Sequence, residues 1–207
     1  MQVDLRKPSH IWFFCALLPV LSYGIGWEFV HLFPSLPFWV EGISPLTAYG
    51  ILFSFFDKVA WHWTIFRWVQ IVTVPDVRGR WLGAQISSYT DEGKHVTSRV
   101  IMEISQTFST IHVDTYYHRW SSKISMAQFV EIESQPTLLI MFDAERKVRY
   151  EEATDNSLRG VCKLIVTPDG GLQGTYFNAS GRHGEITYTR TSRKLTHTFD
   201  TIEAKKA

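Results

Sequence analysis

Near its C-terminal end the chain places hydrogen-bonding side chains where an apolar interior is expected. Tyr176 and Asn178 continue the alternation begun by Leu172 and Gly174, and Tyr188 and Arg190 continue that of Ile186. Successive side chains of a strand point to opposite faces, so all four share an inward face with Cys162, Leu164 and Val166. An unsatisfied buried polar group costs about 1 to 3 kcal/mol. Such an interior therefore persists either as a self-satisfied network or because something bound completes it; a register slip of one residue would instead turn the set outward. The chemistry on offer is recognition. No Gly-x-Ser-x-Gly elbow, His-Glu-x-x-His, P-loop or dinucleotide-binding glycine fingerprint occurs, and Glu131, Glu133, Asp143, Glu151 and Glu152 read as solvated carboxylates, so no enzyme is expected. His112, Asp114, Tyr116 and His118 alternate like a metal ladder but equally like any solvated strand face. The two cysteines, Cys15 and Cys162, have neither pairing nor metal-ligand spacing and suit a reducing compartment. Neither a metal nor a resident cofactor is expected.

These residues need strands to position them. From Gly79 onward the sequence alternates and turns as antiparallel strands near 80–89, 96–105, 108–118, 120–133, 137–145, 158–168, 171–178 and 184–194, about eight in number. That pattern predicts an all-β, up-and-down antiparallel barrel over 76–207. The clearest hairpin runs from Leu164 to Thr167 through Asp169-Gly170-Gly171 into Leu172. Asn178 to Gly184 forms the next turn, and Ala144 to Leu158 is a longer charged gap, a lid-like loop or a short helix. Alternation points Val100, Met102 and Ile104 inward and leaves Arg99, Glu103 and Ser105 in water, while Ile111, Val113, Thr115 and Tyr117 share the next inner face.

Residues 1–75 have a different character and predict a two-helix transmembrane hairpin with spans at about 10–28 and 44–64. Ile11 to Trp27 is apolar apart from Ser22 and glycines; Ser44-Pro45 reads as an N-cap and first-turn proline opening the second span. Trp12, Trp27, Trp39, Trp61, Trp63 and Trp68 are placed as interfacial belts. Asp57 and Lys58 sit just below the inner belt, where Lys58 snorkels and Asp57 reaches water. Arg6 and Lys7 precede the first span and Lys58, Arg67, Arg78 and Arg80 follow the second, with none between Trp27 and Asp57, so both termini are expected to be cytoplasmic. A cleaved signal peptide is the competing reading, but Ser22 to Gly26 makes a poor small-x-small site. With 207 residues and a net charge of +1, the chain has no basic excess of the kind that binds DNA or RNA.

Gly79-Arg80-Trp81-Leu82-Gly83 at the first strand, with Arg190 or Arg193 at the last, is similar to the lipocalin and calycin signature, in which the indole packs under an arginine and plugs one barrel end. The motif, the paired spans and about eight following strands together resemble the two-transmembrane, β-strand-rich effectors that accompany CD-NTases in bacterial CBASS anti-phage operons. The resemblance implies an inner-membrane protein whose lipocalin-like barrel binds a cyclic dinucleotide made by the partner CD-NTase. Homo-oligomerisation, disruption of membrane lipid and cell death would follow. On that reading Tyr117, Tyr176 and Tyr188 stack on bases, Asn178 reads a base edge and Arg190 meets a phosphate. Arg78, Arg119, Trp120 and Arg149 are rim candidates. If Arg190 instead closes the barrel on Trp81, Arg119 or Arg149 takes the phosphate. The alternative is a membrane-tethered carrier of an apolar ligand.

Overall fold

The computed structural model describes residues 12–32, 38–118, 120–132, 135–146 and 157–197. They form two compact units. The first comprises residues 1–73 with 107–109, and the second 74–106 with 110–207.

The second unit is built from β1 (Gly79–Asp91), β2 (Lys94–Gln106), β3 (Ile111–Tyr117), β4 (Trp120–Ile132), β5 (Gln135–Arg146), β6 (Ser157–Val166), β7 (Leu172–Asn178) and β8 (His183–Ser192). Each strand pairs antiparallel with the next, and β8 returns to β1, giving an eight-stranded barrel that is nearly closed. The weak place is the seam between β3 and β4, which among the described residues pair at Thr115↔Ser122 and Tyr116↔Ser121. The inward set expected from alternation is correct. Val100, Met102, Ile104, Val113, Cys162, Leu164, Leu172, Tyr176, Ile186 and Tyr188 all belong to one buried core with Trp81 and Val77.

One end of the barrel is closed by a network that begins at the Gly-x-Trp motif. Trp81 is fully buried and is the ladder partner of Arg190, whose guanidinium carbon lies 4.6 Å from the indole centroid. Arg190 donates from Nη2 to the Asp76 carbonyl at 2.8 Å, and Trp81 Nε1 donates to the Val77 carbonyl at 2.9 Å. Gln106 completes the set: its Oε1 accepts from Val77 N at 3.1 Å and its Nε2 donates to the Pro75 carbonyl at 3.1 Å. Pro75, Asp76 and Val77, where the chain enters the barrel, are thus each fastened by a side chain of a different strand. Gly79, at φ 124°, holds a conformation that disfavours a Cβ, and an added Cβ would lie 2.4 Å from the Ser192 carbonyl.

Glu103 departs from expectation. Alternation points it outward, as predicted, yet it is only 1% exposed because the chain beyond β8 folds over it. Its carboxylate receives Arg80 Nη1 and the backbone N–H groups of Thr196 and His197, the last at positive φ. Burial alone would raise this carboxyl, but the Thr196 N–H, the Arg80 guanidinium and the His197 N–H outweigh it and hold the pKa below the ordinary value.

The first unit contains a π-helical stretch (Phe13–Leu17) leading into α1 (Leu18–Leu32), then α2 (Phe38–Lys58) and α3 (Thr64–Trp68). Among the described residues no helix is long and apolar enough to cross a membrane. At 15 residues α1 is short, and the 21 residues of α2 are diluted by Glu41, Ser44, Thr47 and Tyr49 before they reach Asp57-Lys58. The second span was expected to begin near 44 and reach about 64, but α2 begins at Phe38 and stops at Lys58. Trp61 is no belt residue. It is fully buried in a cluster with Phe13, Phe14, Leu18, Phe56 and Phe108, whereas Trp12, Trp27, Trp63 and Trp68 are exposed. Asp57 likewise does not simply face water. Its Oδ1 accepts from Ser109 N at 2.7 Å and Thr107 Oγ1 at 3.2 Å, and its carbonyl accepts from Phe108 N at 2.9 Å. These bonds explain why β3 starts at Ile111 rather than near 108: residues 107–109 spend their polar groups on Asp57.

Glu103 predicts an acid response. A carboxyl whose folded pKa is depressed stabilises above its unfolded value, near 4.5, and that contribution is lost as pH falls through the folded value. Denaturant titrations should show stability falling steeply below pH 4.5. Glu103→Gln should destabilise the protein at neutral pH by removing the carboxylate to which Arg80, Thr196 and His197 donate, and should flatten that acid limb.

Candidate functional site

The half of the barrel away from Trp81 and Arg190 is not filled. A cavity of about 180 Å³ lies between the strands there, lined on its inner wall by Thr115, Tyr117, Ile140, Cys162, Tyr176 and Tyr188 and towards its mouth by Ser87, Tyr89, Asn178 and Arg182. The local sequence explains the space. Gly83, the last residue of the Gly-Arg-Trp-Leu-Gly stretch, faces Tyr188 so closely that a Cβ would stand 2.4 Å from the ring, so the missing side chain leaves that ring its place. Gly160 does the same for the ring of Phe142, which also lines the cavity.

The walls carry hydrogen-bonding groups but no carboxylate. Tyr117 donates its hydroxyl to Gln85 Oε1 at 3.0 Å, leaving the Gln85 amide nitrogen as a donor. Burial, followed by the neighbouring Cys162 and Tyr176, raises the Tyr117 phenol far above its ordinary value; burial likewise raises Tyr188 and pushes the Cys162 thiol to about 12. All three are neutral at physiological pH, so Cys162 is a poor nucleophile. Ser122 sits on β4 between the ladder neighbours Thr115 and Ala144, both of which line the cavity. Its hydroxyl is buried with no hydrogen-bond partner among the described residues. A buried hydroxyl left in that state disfavours the empty barrel.

Of the residues singled out from the sequence, Tyr117, Tyr176, Asn178 and Tyr188 come together around this cavity. Asn178 has half of its amide committed: Oδ1 accepts from Ser180 N at 3.2 Å and Arg182 N at 3.1 Å, so only the NH2 group faces other partners. Arg190 is not there. It lies on Trp81 at the closed end, where its Nε is buried without an acceptor among the described residues and the indole face takes the charge. Arg78 is also at the closed end, paired with Asp76 at 2.9 Å. Arg119 and Arg149 lie outside the described residues, and of Trp120 only the backbone, the first residue of β4, is described. The cationic group at the mouth is one that sequence reasoning missed. Arg182, in the β7–β8 turn, lies with its guanidinium carbon 4.8 Å from the Tyr89 ring centroid. A turn residue has no periodicity to reveal it. Gln85 was findable, because counting in twos from Trp81 reaches it through Gly83.

Residues 72–190 match the family described as Cap15, cyclic dinucleotide receptor domain. The chain belongs to this family. The matched stretch begins with the barrel's entry segment and ends at Arg190, so it spans both the closed end and the cavity of the Cap15 receptor barrel. No curated protein matches the chain. In the Cap15 frame the neutral, aromatic and hydrogen-bonding walls suit a nucleobase, and the guanidinium at the mouth suits a phosphate.

Ser122→Ala removes a buried hydroxyl that has no partner among the described residues, so the nucleotide-free protein should melt at the same temperature or slightly higher. A cyclic dinucleotide should then raise that temperature less than in wild type. Differential scanning calorimetry of the two proteins side by side checks both halves.

Proposed function

We propose that this chain is a membrane-anchored effector of a CBASS anti-phage system, in which the barrel receives a cyclic dinucleotide and the N-terminal helices act on the bilayer. The observation that carries the ligand half is the cavity of a Cap15 receptor domain walled by Tyr117, Tyr176, Tyr188 and Gln85, with Arg182 at its mouth. Its volume, about 180 Å³, is below the roughly 300 to 1,000 Å³ of pockets that engulf a drug-sized ligand. One base enters the barrel on this reading, stacking among the tyrosines, while the phosphates stay at the mouth beside Arg182. The role is binding rather than catalysis, with no cofactor; a CD-NTase supplies the ligand.

The membrane half is supported by the surface of the helical unit. Val20, Leu21, Tyr23, Ile25, Trp27, Leu32, Leu46, Ile51 and Trp68 are all more than half exposed, a density of bare apolar side chains that marks a lipid-facing or protein-facing surface. Two inner-membrane spans with both termini cytoplasmic remain the arrangement that fits the lysine and arginine distribution. Ligand binding drives homo-oligomerisation through the barrel, and clustering of the helices then breaches the membrane. The connection from Val72 to Val77 is short and holds no Gly/Ser run, which supports coupling of ligand binding to the helices.

Two measurements test this. Thermal melting of the full chain in detergent against a panel of cyclic di- and trinucleotides should show a large shift with one of them, equivalent to about 2.7 kcal/mol at a hundredfold excess over Kd. Arg182→Ala should cut that affinity at least tenfold without lowering the nucleotide-free melting temperature. No shift with any nucleotide, but co-purifying lipid, would replace the reading with an apolar carrier. Inserting a long Gly/Ser linker after Pro75 should weaken ligand-triggered dye release from vesicles while sparing affinity; unchanged release would sink the coupling.

A further inference from the structure

We infer that the cavity selects a base whose edge presents carbonyl oxygens, guanine or uracil, over one that presents an amino group, adenine or cytosine. The inference rests on the receptor reading above and specifies the base that the barrel takes. Both side-chain amides on the cavity wall have their oxygen occupied by the protein itself. Asn178 Oδ1 accepts from Ser180 N at 3.2 Å and from Arg182 N at 3.1 Å, and backbone N–H groups bond only to the oxygen end, so the orientation of that amide is fixed. Gln85 Oε1 accepts the Tyr117 hydroxyl at 3.0 Å. What each amide has left is its NH2 group, a donor. Gln85 is the ladder partner of Ser98 and of Ile186, which both line the cavity, so its amide stands among the groups a base would meet.

No carboxylate lies among the described residues that line the cavity, and Arg182 is a donor as well. Backbone carbonyls of paired strands are engaged in the ladder, within the sheet. The side-chain acceptors that remain are hydroxyls, such as those of Ser98, Thr115, Tyr176 and Tyr188, which take either role and so do not tell one base from another. Stacking on the tyrosines is equally tolerant. Discrimination falls to the groups of fixed role, and these donate. Guanine meets them with two adjacent acceptors, O6 and N7, and uracil with its carbonyls; adenine and cytosine place an amino group at the corresponding position. Two NH2 groups set against each other leave both without a partner, the arrangement by which a polar site rejects a ligand.

The test uses four cyclic homodinucleotides, those of guanine, uracil, adenine and cytosine, in which either base that enters is the same. Isothermal titration calorimetry of the full chain in detergent should give the guanine or the uracil ligand a Kd at least about tenfold below those of both amino-base ligands. Tyr117→Phe keeps the ring but removes the hydroxyl that occupies Gln85 Oε1, so the amide is free to turn and accept; the ratio should narrow. Gln85→Glu, which puts an acceptor where the donor was, should narrow it further or reverse it, and Tyr117→Phe carries the test if that buried carboxylate unfolds the barrel. An adenine or cytosine ligand that binds as tightly as the better of the other two overturns the proposal, and so does a ratio left unchanged by the variants that fold. Absence of binding by all four overturns it too. The melting shift across the wider panel then reads the receptor function separately, so a wrong base is not mistaken for a wrong receptor.

Discussion

The guanidinium of Arg190 lying on the indole of Trp81 is the contact from which the rest of the barrel takes its form. It joins the last strand to the first at their ladder-paired positions and, through the Asp76 carbonyl, also holds the segment by which the chain arrives. One end of the barrel is packed solid, and a cation–π pair does this without leaving the charge bare. The indole N–H is bonded to the Val77 carbonyl, whereas Arg190 Nε at the same plug has no acceptor among the described residues and rests against the indole face.

Because that end is solid, the remaining space collects at the other. The two halves differ in composition: aliphatic side chains such as Ile104, Val113, Leu138 and Leu172 fill the first, while tyrosines, Gln85 and Thr115 line the second. The polar groups leave hydroxyls and an amide facing space, a condition that favours an occupant able to hydrogen-bond. Arg190 lies on the plug, and among the described residues Arg182, in a turn, is the arginine that lines the cavity.

Strand length limits how much of β4 the third strand can cover. β3 is seven residues long between β2 and β4, each of thirteen, because residues 107–109 are drawn to Asp57 at one end and the chain turns after Tyr117 at the other. A short strand beside a long one leaves the longer one uncovered. The ladder with β4 nevertheless stops at Thr115↔Ser122 although β3 runs back to Ile111, so the seam opens within the length of β3 itself.

Sequence alone determined the strand count, the alternation and the inward faces, because a period of two is written directly in residue order and survives without knowledge of neighbours. Alternation also placed Tyr117, Tyr176, Asn178 and Tyr188 in one interior, and the resemblance to the lipocalin signature paired Trp81 with Arg190 or Arg193, of which the structure shows Arg190. What it could not determine is anything that depends on which distant groups meet. Glu103 occupies an outward position and is buried all the same, because Thr196 and His197 cross over it; Trp61 is buried by phenylalanines from Phe13 to Phe108; Asp57 finds its donors in residues 107–109; and Arg182 reaches the mouth from a turn that has no periodicity. Alternation fixes the face of a side chain within its own strand, whereas what covers that face and where the strand loses its neighbour are set by chain distant in sequence, and only the tertiary structure brings that chain into contact.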